Sequence, residues 1–285
     1  MSEHPTRQPF ADRLDAVTAA RGSLCVGVDP HPASVTAWGL ADDLSGLESF
    51  SRGLVAALAG EVACFKPQSA FFEAFGPAGL AVLESVLRDI AEAGAISILD
   101  VKRGDIGSTM AAYARAYLAD GAALAADAIT VSPFLGFGAL TPAIDLAQQT
   151  GRGVFVLVRT SNPESGEVQL AKSSPELFES WPDEASKQSV ADHIIEQAAG
   201  ANQAVGTPLV GAVIGATLET LDVDLRGFDG WILAPGIGAQ GADMDGLRKL
   251  FRGQPRVLPT VSRAVADAGP APAALKKAVQ SLLQA

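Results

Sequence analysis

Ile98-Leu99-Asp100-Val101-Lys102-Arg103-Gly104-Asp105-Ile106 is an apolar run that breaks into alternating charge. Read as a strand, its side chains alternate between two faces, so Asp100 and Lys102, two apart, point to the same side. Asp105 follows three residues later, beyond Gly104, which lets the chain turn. A lysine between two carboxylates at the end of a buried strand is costly to assemble, because three charges lose water and the two acids repel each other. An isolated Asp-x-Lys is equally well a structural ion pair. What lies around it along the chain decides between the two.

Eight short β-rich runs recur, at 24–29, 62–66, 96–100, 128–132, 154–159, 209–214, 230–234 and 256–260. Between them lie helical patterns, at 80–93 with Gly94 as a stop signal, at 109–118 and at 189–199. Strands alternating with helices give a parallel sheet. Eight such units in 285 residues predict a single α/β domain spanning 1–285, a (β/α)8 barrel of the TIM type. The alternative is an open, doubly wound sheet with its charges at one switch point.

Polar residues gather at the C-terminal ends of these runs: Asp29, Lys66, Asp100 with Lys102, Ser132, Arg159 to Ser161, Thr217, the loop from Pro235 to Gly241, and Arg263. That is the end of a barrel where active sites are built. Ionisable or hydrogen-bonding groups at nearly every strand end are difficult to explain as packing. The longest irregular stretch, 160–187, carries Pro163, Gly166, Pro175 and Pro182 and lies on the same face; it reads as either a lid or a surface insertion.

Composition excludes several function classes. Hydrophobic residues make up 48% and aromatics 6%, so the core is built from Ala, Val, Leu and Ile, as parallel strands covered by helices require. A net charge of −11 argues against a nucleic-acid surface, and an anionic ligand needs a local positive site. No apolar run is long enough to cross a membrane, and the first ten residues have no signal-peptide core, so no membrane partner and a cytoplasmic location are expected. Cys25 and Cys64 sit in apolar runs and read as buried and reduced; no metal-ligand spacing is present. His31, near the active face, reads as structural, and His193 as a helix-surface residue.

After the seventh run comes Pro235-Gly236-Ile237-Gly238-Ala239-Gln240-Gly241. Its glycines let backbone N–H groups approach a ligand closely. Arg263 follows the eighth run, and its fork of donors suits a phosphate dianion. The loops after strands seven and eight hold phosphate in many barrels.

Asp100 to Ile106, taken together with Phe65-Lys66-Pro67-Gln68, Val28-Asp29 and Ala234 to Gly241, resembles the orotidine 5′-phosphate decarboxylases. The resemblance is to the longer bacterial form, sometimes called type 2, and runs from about Leu24 to Arg263. It implies a homodimeric barrel with shared active sites. Such a barrel converts orotidine 5′-monophosphate to uridine 5′-monophosphate and CO2, the last step of de novo pyrimidine synthesis, without metal or organic cofactor.

Carried onto this sequence, the resemblance makes Lys102 the proton donor to C6 of the pyrimidine. It sets Asp100 against the substrate carboxylate, and gives Lys66 the task of bonding the ribose and Asp100. Asp105 would reach the partner subunit's site, and Thr109 would approach across the same interface. Asp29 would bind a ribose hydroxyl, and Ser161 the pyrimidine amide, with Thr160 as the alternative. Gln240 would bridge base and phosphate, and Gly241 and Arg263 would hold the phosphate.

The chemistry explains the charges. Loss of CO2 from orotate leaves a carbanion at C6 with no adjacent carbonyl to delocalise it, so a cofactor-free enzyme must stabilise that centre electrostatically and then protonate it. Two rivals carry different expectations. A sugar-phosphate decarboxylase or aldolase on a related barrel shares an Asp-x-Lys strand end but needs a metal. A non-catalytic barrel would bind a nucleotide without turning it over.

Overall fold

The computed structural model describes residues 7–172, 188–238 and 241–285. Helix α1 (Phe10–Arg21) precedes β1 (Cys25–Val28), α2 (Pro32–Ala37), α3 (Leu44–Leu58), β2 (Cys64–Pro67), α4 (Ser69–Glu73), α5 (Gly76–Glu92) and β3 (Ile96–Arg103). Next come α6 (Gly107–Leu118), β4 (Ala128–Val131), α7 (Thr141–Thr150), β5 (Gly153–Arg159), α8 (Gly166–Gln169), α9 (Val190–Val205) and β6 (Val210–Ile214). The chain ends with β7 (Ile232–Pro235), α10 (Met244–Leu250), β8 (Val257–Val261), α11 (Arg263–Ala266) and α12 (Pro272–Gln284).

All eight strands pair in parallel and in chain order, and β8 closes on β1 through Cys25 with Thr260 and Val26 with Val261. The predicted barrel is therefore the observed one, and the open sheet is excluded. Each predicted strand overlaps its observed counterpart, with differences of a few residues at the ends. Helix α5 runs to Glu92, and Gly94 just beyond it has φ 61°, the left-handed conformation that a helix stop uses.

Two main apolar cores result, with a minor third cluster of Val35, Phe50 and Ala266. The larger lies between strands and helices, where outward residues such as Val26, Leu99, Ile129 and Val156 meet Leu54, Leu83, Met110 and Ile194. The smaller fills the barrel, with Cys25, Cys64, Ile98, Phe155, Trp231 and Leu258. Helix α1 stoppers its N-terminal end. The Phe10 ring stands edge-on to Phe155 at 5.9 Å, Arg13 pairs with Asp127, and Asp15 accepts bonds from Trp231 and Arg256. Gly153 makes room for this plug, since a Cβ there would sit 2.4 Å from the Phe10 ring. With that end plugged, the barrel interior opens toward its C-terminal mouth.

The third strand departs from the simple alternation expected of it. Leu99 pairs with Ile129 and Arg103 with Val131, so Asp100, Val101 and Lys102 on β3 face the single residue Thr130 on β4. This is a bulge. Lys102 takes φ 46° in it, and is the only non-glycine residue with positive φ among those described. Asp100 and Lys102 do meet, but through this bulge and not through the pleat. Gly104 serves the turn by close approach: a Cβ there would lie 2.4 Å from the Ser132 carbonyl oxygen. Of the irregular stretch 160–187, residues 173–187 lie outside the described part. No helix among the described residues is long and apolar enough to cross a membrane.

Candidate active site

At the barrel mouth a cavity of about 420 Å³ is lined by Asp29, Lys66, Gln68, Asp100, Lys102, Thr130, Thr160, Thr260 and Arg263, with Pro235 to Ile237 at its rim. A larger depression, about 880 Å³, lies at the opposite end beside Arg7, Phe10, Asp120 and Arg152. Both its arginines pair with Asp120, and it brings no comparable set of reactive groups together. Chemistry, not volume, selects the mouth.

Asp100 is the hub. It is buried, and both carboxylate oxygens are taken. Oδ2 accepts from Lys66 Nζ at 3.1 Å and Gln68 Nε2 at 2.9 Å; Oδ1 accepts from Lys102 Nζ at 2.6 Å and Thr130 Oγ1 at 2.7 Å. Burial works against the ionised carboxylate, but the two ammonium groups and these bonds outweigh it and hold Asp100 well below the usual carboxylate range. Burial likewise opposes the charge on Lys66, and is outweighed by Asp100 and by Asp29, whose Oδ1 lies 4.0 Å from Nζ, so the Lys66 pKa is pushed up. The result is a fixed alternation of charge: Asp29, Lys66, Asp100, Lys102. Lys66 is sealed in, whereas the Lys102 side chain is 47% exposed and faces the cavity.

Asp29 ends β1, and its Oδ1 is buried with no hydrogen-bond donor among the described residues. Gln68 and Thr130 drew no role from the sequence. An uncharged Gln following a proline and a Thr in a β-forming run carry no signal of their own. The only pointer was their nearness to charged strand ends.

Around the rim the predicted residues divide. Thr160 lines the cavity, and its hydroxyl is bonded to Asn162 and Gln169, while Ser161 is exposed and packs against Gly215. Arg263 lines the cavity and is exposed, without an ion pair among the described residues. Gly236, Gly238 and Gly241 have φ of 118°, 79° and 96°, backbone that side chains disfavour. The loop is pinned by Gly238 N–H to Ala242 O and Gly241 N–H to Gly238 O. Gly241 lies past the cavity wall, beside an adjoining cleft. Gln240 falls outside the described residues. His31 caps α2 through its ring nitrogen and stacks edge-on against Phe71 at the cavity wall.

Asp105 and Thr109 are not brought to the Lys66–Asp100–Lys102 cluster of their own chain. Asp105 accepts the Ile106 N–H and makes no ion pair among the described residues, and Thr109 is exposed at the start of α6. Beside them three large apolar side chains face outward: Ile106 is 62% exposed, Phe134 74% and Leu135 52%. No group of three or more metal-ligating side chains occurs among the described residues.

Comparison with known proteins agrees with this geometry. The sequence pattern of the orotidine 5′-phosphate decarboxylase / HUMPS family matches residues 22–278. The orotidine 5′-phosphate decarboxylase of Salinispora arenicola is 50% identical over 277 residues, covering 97% of this chain and 96% of its own. That of Streptomyces coelicolor is 48% identical, covering 95% and 94%. A Streptomyces avermitilis crystal structure, provisionally assigned to the same enzyme, superposes with a TM-score of 0.92 at 46% identity, covering 100% of this chain and 96% of that one. By extent and by identity, the chain belongs to the orotidine 5′-phosphate decarboxylase / HUMPS family.

Proposed function

We propose that the Lys66–Asp100–Lys102 array, completed by Asp105 of a second copy, carries out the reaction of this family's decarboxylases. That reaction converts orotidine 5′-monophosphate to uridine 5′-monophosphate and CO2, the last step of UMP biosynthesis. The observation that carries the residue assignment is Asp100, buried at the mouth and gripped by two lysines, one sealed in and one open to the cavity.

The substrate carboxylate sits against Asp100, and the C6–carboxylate bond breaks with its electron pair left on C6. Lys102 faces that carbon as an ammonium, stabilises the developing charge and then gives it a proton, leaving as the neutral amine to be reprotonated from water. Repulsion between Asp100 and the substrate carboxylate is relieved as CO2 departs. Lys66 keeps Asp100 ionised and in place, and the orphaned Asp29 oxygen takes a ribose hydroxyl. Thr160, at the cavity wall, or Ser161 next to it meets the pyrimidine amide, and Gln240 bridges base and phosphate. Gly241 and Arg263 bind the phosphate, so that binding energy far from C6 is used at C6. The metal-dependent sugar-phosphate reading is not favoured: both Asp100 oxygens are already committed to ammonium, amide and hydroxyl donors.

The same proposal makes the working unit a homodimer with shared sites. Its support is the outward-facing Ile106, Phe134 and Leu135 beside an Asp105 that has no ionic partner among the described residues. It treats the chain as one domain, and buried, unpaired Cys25 and Cys64 fit a reducing, cytoplasmic setting.

The test is the ultraviolet absorbance of orotidine 5′-monophosphate with purified, chelator-treated protein. Loss of the orotate band with release of uridine 5′-monophosphate is the expected result; an unchanged band with well-folded dimer would overturn the reading. A companion measurement addresses the phosphate. Removing a charge-assisted bond costs about 1.5–3 kcal/mol, so Arg263→Ala should lower kcat/KM by roughly 10- to 100-fold, mostly through KM. Unchanged efficiency would place the phosphate elsewhere.

A further inference from the structure

Lys102 holds a backbone conformation that L-residues avoid, and such strain persists only where the surroundings over-determine it. The β4 residue facing the bulge is Thr130. Its hydroxyl accepts the Lys102 main-chain N–H at 2.9 Å and donates its single proton to Asp100 Oδ1 at 2.7 Å. That same Oδ1 accepts the Lys102 ammonium at 2.6 Å. The four groups close a ring: Lys102 N–H, Thr130 hydroxyl, Asp100 carboxylate, Lys102 ammonium. Both ends of Lys102, backbone and side chain, are therefore referred to one fixed point.

From this ring we infer that Thr130 is the positioning residue of the site, holding the β3 bulge so that Lys102 is aimed at the reacting carbon. The inference rests on the reading of Lys102 as proton donor.

Regular strand pairing has no β4 partner to offer the extra β3 residues, so the Lys102 N–H depends on a side chain. Ser132 N–H resumes the ladder by bonding Arg103 O at 2.8 Å, so the disturbance is confined to the residues that Thr130 spans. Thr130 is 1% exposed, so no water substitutes freely for its hydroxyl. Its β-branched side chain has few rotamers, which fixes the direction of both bonds before substrate arrives. Alternating inward and outward residues along β4 put Ile129 and Val131 in the outer core and leave Thr130 facing the barrel interior.

Thr130→Val keeps the shape and removes the hydroxyl. Turnover of orotidine 5′-monophosphate should fall about 100-fold in kcat, with KM changed less than about 3-fold, the scale set by losing a buried hydrogen bond to a charged group. Thr130→Ser should recover kcat to within about 5-fold of the parent. Thr130→Ala removes the hydroxyl without bulk and serves where the valine variant does not fold.

Hydrogen exchange of the peptide covering 98–106, followed by mass spectrometry, reads the clamp without turnover. The Lys102 amide should lose protection in Thr130→Val and keep it in Thr130→Ser. Lost protection with unchanged kcat would overturn the positioning role. So would a loss of protection throughout β3 and β4 that serine does not repair, which marks a packing residue. If the parent protein does not decarboxylate the substrate at all, the functional reading fails instead; the exchange result then stands separately and shows whether the clamp exists.

Discussion

Lys102→Ala is expected to lower kcat by about five orders of magnitude while leaving the fold intact. The size follows from two losses at one position. A general acid contributes roughly 10²–10⁴, and a fixed charge aimed at a developing anion contributes roughly 10²–10³. Both are removed when the ammonium goes. Intact folding follows from the neighbours. The Lys102 side chain is half exposed and anchors no apolar packing, and Asp100 retains Lys66, Gln68 and Thr130 as donors after the change. No buried carboxylate is stranded, so the fold should survive, with a melting temperature lowered most near neutral pH, where the stabilisation that Lys102 gives the ionised Asp100 is fully present.

In acid the difference between variant and parent should shrink. Asp100 titrates below the usual carboxylate range in the native protein, so it contributes stability that is present above the unfolded value near 3.9 and lost as pH falls through the folded one. Without Lys102 the folded value rises toward the ordinary range, so the variant has less of this stability to lose. Turnover is measured by the orotate absorbance band and stability by thermal melts across pH 2–7. Activity within about tenfold of the parent would remove Lys102 as proton donor, whatever the melts show.

How much of this was legible in the sequence differs from element to element. The eight strands announced themselves because a parallel strand covered on both faces must be a short, nearly continuous apolar run, and 128–131 or 210–214 can hardly be read otherwise. The charged residues ending those runs, Asp29, Lys66, Asp100, Lys102 and Arg263, do gather around one cavity at the C-terminal mouth. Helix α1 was not read at all. Its buried residues are Phe10, Ala11, Leu14 and Thr18, and the remaining positions mix Asp12, Arg13, Asp15 and Arg21 with Ala16, Val17, Ala19 and Ala20, which leaves no clear apolar stripe. That a plug was needed follows only once the barrel exists.

The β3 bulge was also invisible. Asp-x-Lys has the spacing of plain alternation, and only the register against β4 shows three residues facing one. Gln68 and Thr130 went unread for the related reason that their roles belong to Asp100's environment, which forms across three strands. Gly104 was read as a residue that lets the chain turn; that the turn needs glycine because of its close approach to the Ser132 carbonyl is something only packing shows. The role proposed for Asp105 needs a second copy, and no pattern within one chain reveals what a neighbouring molecule would complete.

That last point makes the largest gain-of-function result available. Asp105→Ala and Lys102→Ala, each inactive alone, should regain activity when their subunits are mixed. If each site draws Lys102 from one copy and Asp105 from the other, a hybrid dimer has one site lacking both groups and one lacking neither. Random pairing of equal amounts makes about half the dimers hybrid, so about one quarter of all sites are intact, and specific activity should approach that fraction of the parent. If Asp105 instead served Lys102 of its own chain, every hybrid site would keep one defect and mixing would restore nothing.

The structure supplies the reason to expect recovery. Asp105 is half-buried just past β3, bonded to its neighbouring N–H and without an ion pair among the described residues. Ile106, Phe134 and Leu135 beside it expose apolar surface that a second copy would cover. The two subunits carry different affinity tags, so that hybrids can also be isolated; in them half the sites are intact, and specific activity should approach about half that of the parent. Hybrids that form but stay inactive would assign Asp105 to its own chain. Failure to recover any hybrid would remove the dimer itself, and Ile106→Asp, which should split a true dimer and abolish activity in an otherwise complete chain, would then leave turnover unchanged.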